Sequence, residues 1–223
     1  MTSRLQLRVL GELRVVRDGA SLPLPASRKT RALLAYLAVV GHPVRRDHLC
    51  ELLWELPDDP RASLRWSLHK LRKLTNWDGQ QRLTTDASHV ALDLRLVDVD
   101  YADLSRLGLS RNELLDVSTL EDFSGAFSGE FIEDLTLPRC PKFEAWRRYH
   151  TDSLNRIRSR ILCRLIKQTR DQPERRLFYA QLLQRLSPDD HALPQEIHEL
   201  VSVAGHGESG FAAEPVPIYR QYL

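Results

Sequence analysis

One stretch, residues 58–74, constrains the fold more than any other, because its pattern predicts a helix with two different faces. Leu64, Leu68 and Leu71 recur at the spacing of a single helical face. Pro60 suits the first position of a helix, and Asp59 before it can accept hydrogen bonds from the free amides. Residues 60–74 contain no Asp or Glu, so every charge on the exposed face is positive. Such a face predicts an anionic partner. The residues projecting from that face are Arg65, Trp66, His69, Lys70 and Lys73.

The charge of the chain is unevenly divided, although the net charge is only +2 over 223 residues. Residues 1–97 hold 16 Lys and Arg against 10 Asp and Glu, whereas residues 98–223 hold 16 against 20. This length allows one large domain or two of ordinary size. A basic first half and an acidic second half favour nucleic acid as the partner of the first half.

The first half predicts a small antiparallel sheet followed by three helices. Residues 5–10 and 13–17 alternate as strands around an Asp18-Gly19 turn, and residues 21–25 predict a short third strand at an edge. Helices are predicted over residues 28–40, with Ser27 as cap and Gly41 as stop, and over residues 46–54. Residues 43–45 between them are predicted as a brief extended link.

The stretch at residues 58–74 supplies the third helix, and a hairpin of residues 82–85 and 90–94 follows it. Sheet, three helices and hairpin is the order of a winged helix-turn-helix, in which the third helix enters the major groove and the hairpin is the wing. The fold class predicted for residues 1–96 is therefore α+β, a winged helix-turn-helix with an N-terminal antiparallel sheet.

Residues 5–94 resemble the OmpR/PhoB-type winged-helix domain and, more narrowly, the DNA-binding domain of the Streptomyces-antibiotic-regulatory-protein (SARP) type. The resemblance is carried by residues 7–11, 28–37, 46–49, 53–54 and 62–72. It implies base-reading and phosphate-binding positions on the exposed side of the third helix, here Ser63, Trp66, His69, Lys70 and Arg72, with Arg65 and Lys73 alongside. Lys70 can donate to guanine acceptors. Trp66 either packs on thymine methyl groups or sugars, or is partly buried.

The resemblance also implies contacts around this helix. It implies that the Trp54 indole bonds a phosphate, the alternative being an ordinary core tryptophan. Arg28, Arg45 and Arg61, at helix ends or links, are candidate phosphate contacts, or simply solvent-exposed. The wing offers Thr84, Thr85, Ser88 and His89, with Arg82 as its one cation, so a modest minor-groove contact is expected. In the family the loop equivalent to the acidic residues 55–59 can face RNA polymerase. The alternative is an ordinary loop that connects two helices and caps the second.

From Val97 onward the pattern predicts helices alone, over about residues 120–126, 142–169, 174–186 and 191–203. Residues 97–203 resemble the bacterial transcriptional activator domain of SARP-type regulators through residues 97–100, 129–131, 143–146 and 186–190. That resemblance implies an all-α, tetratricopeptide-like domain over residues 97–223. Pro194 and the residues after Gly205 depart from the pattern, which predicts an irregular, truncated last repeat.

The sequence carries no enzyme motif: neither a phosphate-binding Gly-rich loop nor a nucleophile elbow is present, and the eight histidines lack metal-ligand spacing. We expect no catalytic residues, no metal and no cofactor. Three widely spaced cysteines predict free thiols in a reducing compartment. With no signal peptide and no membrane-spanning run, a soluble, cytoplasmic protein is expected.

These patterns and the resemblance predict a DNA-binding transcriptional regulator. The resemblance implies an activator that binds promoter direct repeats and contacts RNA polymerase. The alternative is a helical protein-interaction adaptor whose winged helix no longer binds DNA. The oligomeric state is left open between a monomer and a homodimer that forms on DNA. The target promoters, the inducing signal and the choice between activation and repression do not follow from the sequence.

Overall fold

The computed structural model describes residues 4–54, 59–102, 104 and 115–186. Over these residues a region of mixed sheet and helix is followed by a helical region. In chain order the elements are β1 (Leu5–Arg8), β2 (Arg14–Arg17), β3 (Ala20–Ser21), α1 (Arg28–Val40), β4 (Val44–Arg45), α2 (Arg46–Leu53), α3 (Pro60–Thr75), β5 (Leu83–Thr85), β6 (His89–Leu92), β7 (Val97–Val99), α4 (Val117–Gly125), α5 (Pro141–Gln168) and α6 (Pro173–Leu186).

The N-terminal sheet has the strand order β3-β2-β1-β7. Its first three strands are antiparallel, as predicted, and Asp18 and Gly19 turn the chain between β2 and β3 with φ angles of 52° and 80°. The third strand was predicted over residues 21–25 and is instead Ala20–Ser21. Pro23 and Pro25 have no N–H group, so that segment cannot continue the hydrogen-bonded ladder.

The three helices of the first half lie where the sequence predicts them. The Ser27 hydroxyl accepts a hydrogen bond from the Thr30 N–H at the start of α1, and Gly41 ends the helix with φ 67°. Leu33, Leu34 and Leu37 are fully buried on its inner face. α2 ends at Leu53, one residue before the predicted limit.

The predicted hairpin is present as β5 and β6, but it belongs to a three-stranded sheet of order β4-β6-β5. Val44 and Arg45 were predicted as an extended link and form β4 instead, with Val44 opposite Val90 and Arg45 opposite His89. Periodicity cannot identify a strand of two residues, because the partner that defines it lies far along the chain. The hairpin is thereby attached to the start of α2.

The prediction that everything after residue 96 is helical is wrong at its first residues. Val97–Val99 form β7, which pairs in parallel with β1 so that Leu5 lies opposite Val97. Two β-branched side chains alternating around Asp98 favour a strand. Both valines are buried, and Asp100 after them accepts hydrogen bonds from the Val9 and Leu10 N–H groups.

The helices predicted further along are confirmed with small shifts. α4 begins earlier than predicted because the Asp116 carboxylate accepts from the Thr119 N–H and caps it. α5 and α6 each begin at a proline and lie within about one residue of their predicted bounds at both ends. The helix predicted over residues 191–203 and the last repeat lie outside the described residues.

The chain divides into two compact units, residues 1–161 and 162–223. The first unit contains both sheets and also residues 97–161, which meet the first half at β7 and at Phe131, the bridging partner of Leu10 and Gly11. The compact unit thus extends across the boundary predicted at residue 96, and a division of function at that boundary stays a prediction.

Candidate nucleic-acid interface

α3 is anchored by its apolar stripe and by a buried pair of hydroxyl groups. Leu64, Leu68 and Leu71 are at most 1% exposed. The hydroxyl oxygens of Ser67 and Thr30 lie 2.9 Å apart in the core, which joins α3 to α1. At its first turn the Asp59 carboxylate accepts a 2.8 Å hydrogen bond from the Ala62 N–H, as predicted. These contacts fix which side of the helix faces solvent.

The solvent-facing side of α3 carries one sign of charge. Between Pro60 and Thr75 the helix has five Lys and Arg residues and no Asp or Glu. Trp66 is 54% exposed, and the Lys70 ammonium lies 5.1 Å from the centre of its ring. Ser63 is half-buried at the edge of this face. The structure brings these predicted site residues together on one exposed surface: Arg65, Trp66, His69, Lys70, Arg72 and Lys73.

The candidate phosphate contacts around α3 differ in their exposure to solvent and in the ion pairs that they already form. Arg28, at the start of α1, and Arg45, in β4, are exposed. Arg61 is also exposed, but it forms a 3.0 Å ion pair with Asp47 of α2. Trp54 is only 5% exposed, so its ring belongs to the core.

Arg82, predicted as the one cation of the wing, is instead fully buried. Its guanidinium forms an ion pair with Asp78, with a shortest N–O distance of 3.1 Å, and donates to the carbonyls of Thr75, Trp77 and Leu96. Because a buried guanidinium must satisfy its donors inside the protein, Arg82 cannot reach a nucleic acid. It holds the turn after α3 against the start of β5.

Trp77 is a structural residue that the sequence reasoning missed. The Arg82 guanidinium carbon lies 3.6 Å from the centre of its ring, and that of Arg17 in β2 lies 4.9 Å from it. Both distances are within the range of cation–π attraction. An aromatic residue in a turn between α3 and the hairpin was the available signal, because such a ring seldom stays in solvent.

The hairpin therefore faces solvent without a lysine or arginine of its own. Thr84 is exposed, Thr85 is half-buried, and the Arg72 guanidinium of α3 donates to the Thr85 hydroxyl. At the tip, hydrogen bonds from the N–H groups of Ser88 and His89 lower the pKa of Asp86. The Asp86 carboxylate is thus ionised at neutral pH, and the Arg46 guanidinium lies beside it.

The hairpin is held in place by the start of α2. The Arg46 N–H donates to the Ser88 carbonyl at 2.8 Å, and its guanidinium donates to the Asp86 carbonyl at 3.0 Å. With the pairing of β4 and β6, these bonds orient the tip relative to the helices.

Residues 140–146 pack on α1 and α2. Trp146 lies 4.9 Å from the Tyr36 ring, between centroids, and Lys142 forms a 3.2 Å ion pair with Glu51. The Cys140 thiol contacts the Leu53 carbonyl at 3.4 Å. These residues do not cover α3, whose basic face stays exposed to solvent.

Two kinds of site are not seen in the part of the chain that the structure describes. No three His, Cys, Asp or Glu side chains there converge as a metal ion would require. None of the three cysteines forms a disulfide bond, as predicted. Within the same residues, no helix has both the length and the apolar character needed to cross a membrane.

A comparison with known proteins finds a regulator of similar fold. No family profile and no curated protein sequence matches the chain. Among solved structures the chain is similar to Mycobacterium tuberculosis EmbR, a SARP-family regulator, in complex with a low-affinity phosphopeptide. The TM-score is 0.55 at 20% sequence identity, over 89% of this chain and 64% of the EmbR chain. At this identity the comparison shows that the two chains share a fold.

Proposed function

We propose that this chain is a sequence-specific, DNA-binding transcriptional regulator of the SARP type. In this proposal residues 1–96 act as an OmpR/PhoB-type winged-helix domain, α3 enters the major groove, and the β5–β6 hairpin is the wing. The observation that carries the proposal is the exposed face of α3, which carries lysines, arginines and Trp66 and no carboxylate. The fold shared with EmbR supports the same class of protein.

A basic helix face suits DNA because each neutralised phosphate releases condensed counterions, which favours binding. α3 alone offers five cations without a carboxylate to offset them, and the major groove is wide enough to admit a helix. Neutralising about four to six phosphates gives a slope of roughly −4 to −5 when log affinity is plotted against log salt concentration.

The proposed contacts fall into two groups. Those nearest base edges lie along the exposed face: Ser63, Trp66, His69, Lys70 and Arg72. Those nearest phosphates surround it: Arg28, Arg45, Arg61, Arg65, Lys73, Thr84 and Thr85. Trp54 joins this group only through its indole N–H, because its ring is buried. Within the second group we expect Arg61 to contribute less than Arg28, because Asp47 already offsets its charge.

In the same proposal, residues 97–223 form the tetratricopeptide-like activator domain. That part would stabilise two copies on promoter direct repeats and contact RNA polymerase. The packing of Trp146 and Lys142 on α1 and α2 supports this arrangement, since it attaches the following segment to the winged helix without covering α3.

One observation favours a second function, a protein-interaction adaptor without DNA binding. Arg82 is buried, so the hairpin has no exposed cation between Leu83 and Leu92, and Asp86 puts a negative charge at its tip. A wing of this kind gains little from a phosphate backbone. The basic face of α3 still outweighs it, because α3 supplies the larger charge.

The two functions are distinguished by removing charge from α3. We expect Lys70→Ala/Lys73→Ala to abolish measurable binding to duplex DNA from upstream of its own gene, followed by fluorescence anisotropy. Arg148→Ala/Arg156→Ala removes the same charge from exposed positions of α5 and should bind like the wild-type chain. Equal DNA binding by both double variants would contradict the proposed role of α3. An adaptor would instead retain partner binding through residues 98–203 in both.

A further inference from the structure

Trp66 and Lys70 form a pair on the face of α3 that the proposed function turns toward DNA. More than half of the Trp66 surface is exposed, at 54%. So large an apolar ring is seldom left in solvent when the core has room for it. Here the buried stripe of the same helix is already filled by leucines, and the indole lies outside it. The exposed ring is therefore available to a ligand with an apolar surface.

The Lys70 ammonium is held beside this ring before any DNA is present. Its Nζ atom lies 5.1 Å from the ring centre, inside the range of about 6 Å for cation–π attraction. The two residues are four apart on one helix, so their side chains are neighbours. A lysine that is already restrained loses less conformational entropy on binding than a free one. The pair thus presents an apolar surface, the Trp66 ring, next to a hydrogen-bond donor, the Lys70 ammonium.

Within the proposed DNA-binding function, we infer that this pair reads a thymine close to a guanine. The indole packs against the thymine 5-methyl group, and the Lys70 ammonium donates to N7 of the guanine. The thymine methyl is the apolar group that base pairs present in the major groove, and guanine presents two acceptors there. The separation of 5.1 Å spans at most two base-pair steps of about 3.4 Å.

The competing role for Trp66 is packing on a deoxyribose, which every nucleotide offers. That contact stabilises the complex without regard to sequence, whereas a methyl contact depends on a single atom group. Replacing thymine by uracil removes that methyl group and leaves the sugar and the Watson–Crick pairing unchanged. The substitution therefore separates the two roles on the DNA side of the interface.

The test uses the full chain and a binding site that it selects from a random duplex library. Each thymine of that site is replaced in turn by deoxyuridine, and affinity is measured by fluorescence anisotropy. At one thymine we expect the wild-type chain to bind about fourfold more weakly, the effect of one buried methyl group. Trp66→Ala should bind both duplexes equally, and 7-deazaguanine at a guanine within two base pairs should weaken wild type but not Lys70→Ala.

Tyr149→Ala is the matched control, because Tyr149 is an exposed aromatic residue on α5. It should keep the wild-type ratio between thymine and uracil. If no uracil substitution matters, or if Trp66→Ala keeps the full ratio, the methyl contact is overturned while DNA binding stands. If the wild-type chain enriches no duplex and binds none at low salt, the proposed function fails and this inference fails with it.

Discussion

At the scale of single residues, Arg82 shows how a charge can be mistaken for a functional one. Its position after a basic helix and before a hairpin is that of a wing cation, yet it is fully buried against Trp77. The sequence contains Asp78 four residues earlier, but spacing alone does not show that the pair closes over a buried turn. Burial depends on Arg17 and Leu96, which come from distant parts of the chain.

Arg82→Met should lower the free energy of unfolding by about 3 kcal/mol, because it leaves Asp78 and three carbonyls without their buried donor. Arg95→Met is the control, since Arg95 also pairs with an aspartate, Asp93, but is 89% exposed. Loss of that exposed pair should cost much less than loss of the buried one. Urea unfolding of both variants measures the difference, and equal costs would show that the buried network is not stabilising.

Asp100 is the second residue whose role the sequence does not reveal. Burial raises the pKa of its carboxyl to about 6, although N–H groups of Val9 and Leu10 donate to it and oppose the shift. The folded chain therefore binds this proton more tightly than the unfolded chain does. Stability from this group is greatest below about pH 4 and is lost as the pH rises through about 6.

Asp100→Asn should flatten this pH dependence, which amounts to about 3 kcal/mol at most between pH 4 and pH 7. The measurement is the free energy of unfolding in urea at several pH values. Asp98→Asn removes a half-buried carboxylate that pairs with Arg4, and it serves as the control for the loss of a carboxylate from the same part of the chain. An unchanged slope in Asp100→Asn would show that another group titrates in this range.

At the scale of elements, those with local signals were predictable and those defined by a distant partner were not. α1 follows from Ser27, Gly41 and a leucine stripe, all within the helix and its ends. β4 and β7 have two and three residues, and they exist because β6 and β1 pair with them. The exposed face of α3 was predictable for the same reason as α1, since the stripe that buries one side determines the other.

The attachment of α3 to α1 gives a prediction at this scale. Ser67→Ala should cost about 1–3 kcal/mol, because it leaves the buried Thr30 hydroxyl without its partner. Ser67→Ala combined with Thr30→Val should cost less than the sum of the two single changes, because neither polar group is left buried alone. Thermal unfolding of Ser67→Ala, Thr30→Val and the double variant completes this double-mutant cycle. A cost of the double variant equal to the sum of the single costs would contradict a direct hydrogen bond.

At the scale of the whole molecule, the first compact unit is joined across long stretches of chain. Asp134 accepts from the Leu13 N–H at 2.9 Å and forms a 3.0 Å ion pair with Arg31. Ser128 bonds the Leu10 carbonyl through both its N–H and its hydroxyl. Neither contact is visible in periodicity, because each joins residues more than a hundred positions apart.

Gly11 lies at this junction with a φ angle of 141°, and a Cβ atom there would collide with the Ser128 side chain. Gly11→Ala should therefore destabilise the fold by about 2–4 kcal/mol, from backbone strain and overpacking together. Gly19→Ala, at a φ of 80° with open space around it, isolates the strain alone and should cost about 1 kcal/mol. Urea unfolding measures both variants. Equal losses in the free energy of unfolding would show that the structure around Gly11 accommodates a methyl group at no extra cost.

The central claim is that the basic face of α3 binds DNA in a sequence-dependent way. The most direct measurement is fluorescence anisotropy of the full chain with duplex DNA from upstream of its own gene and with a scrambled duplex, each titrated in salt. The account predicts tighter binding to the natural sequence and a log–log salt slope of roughly −4 to −5. No binding to either duplex at low salt would contradict it and would favour the adaptor.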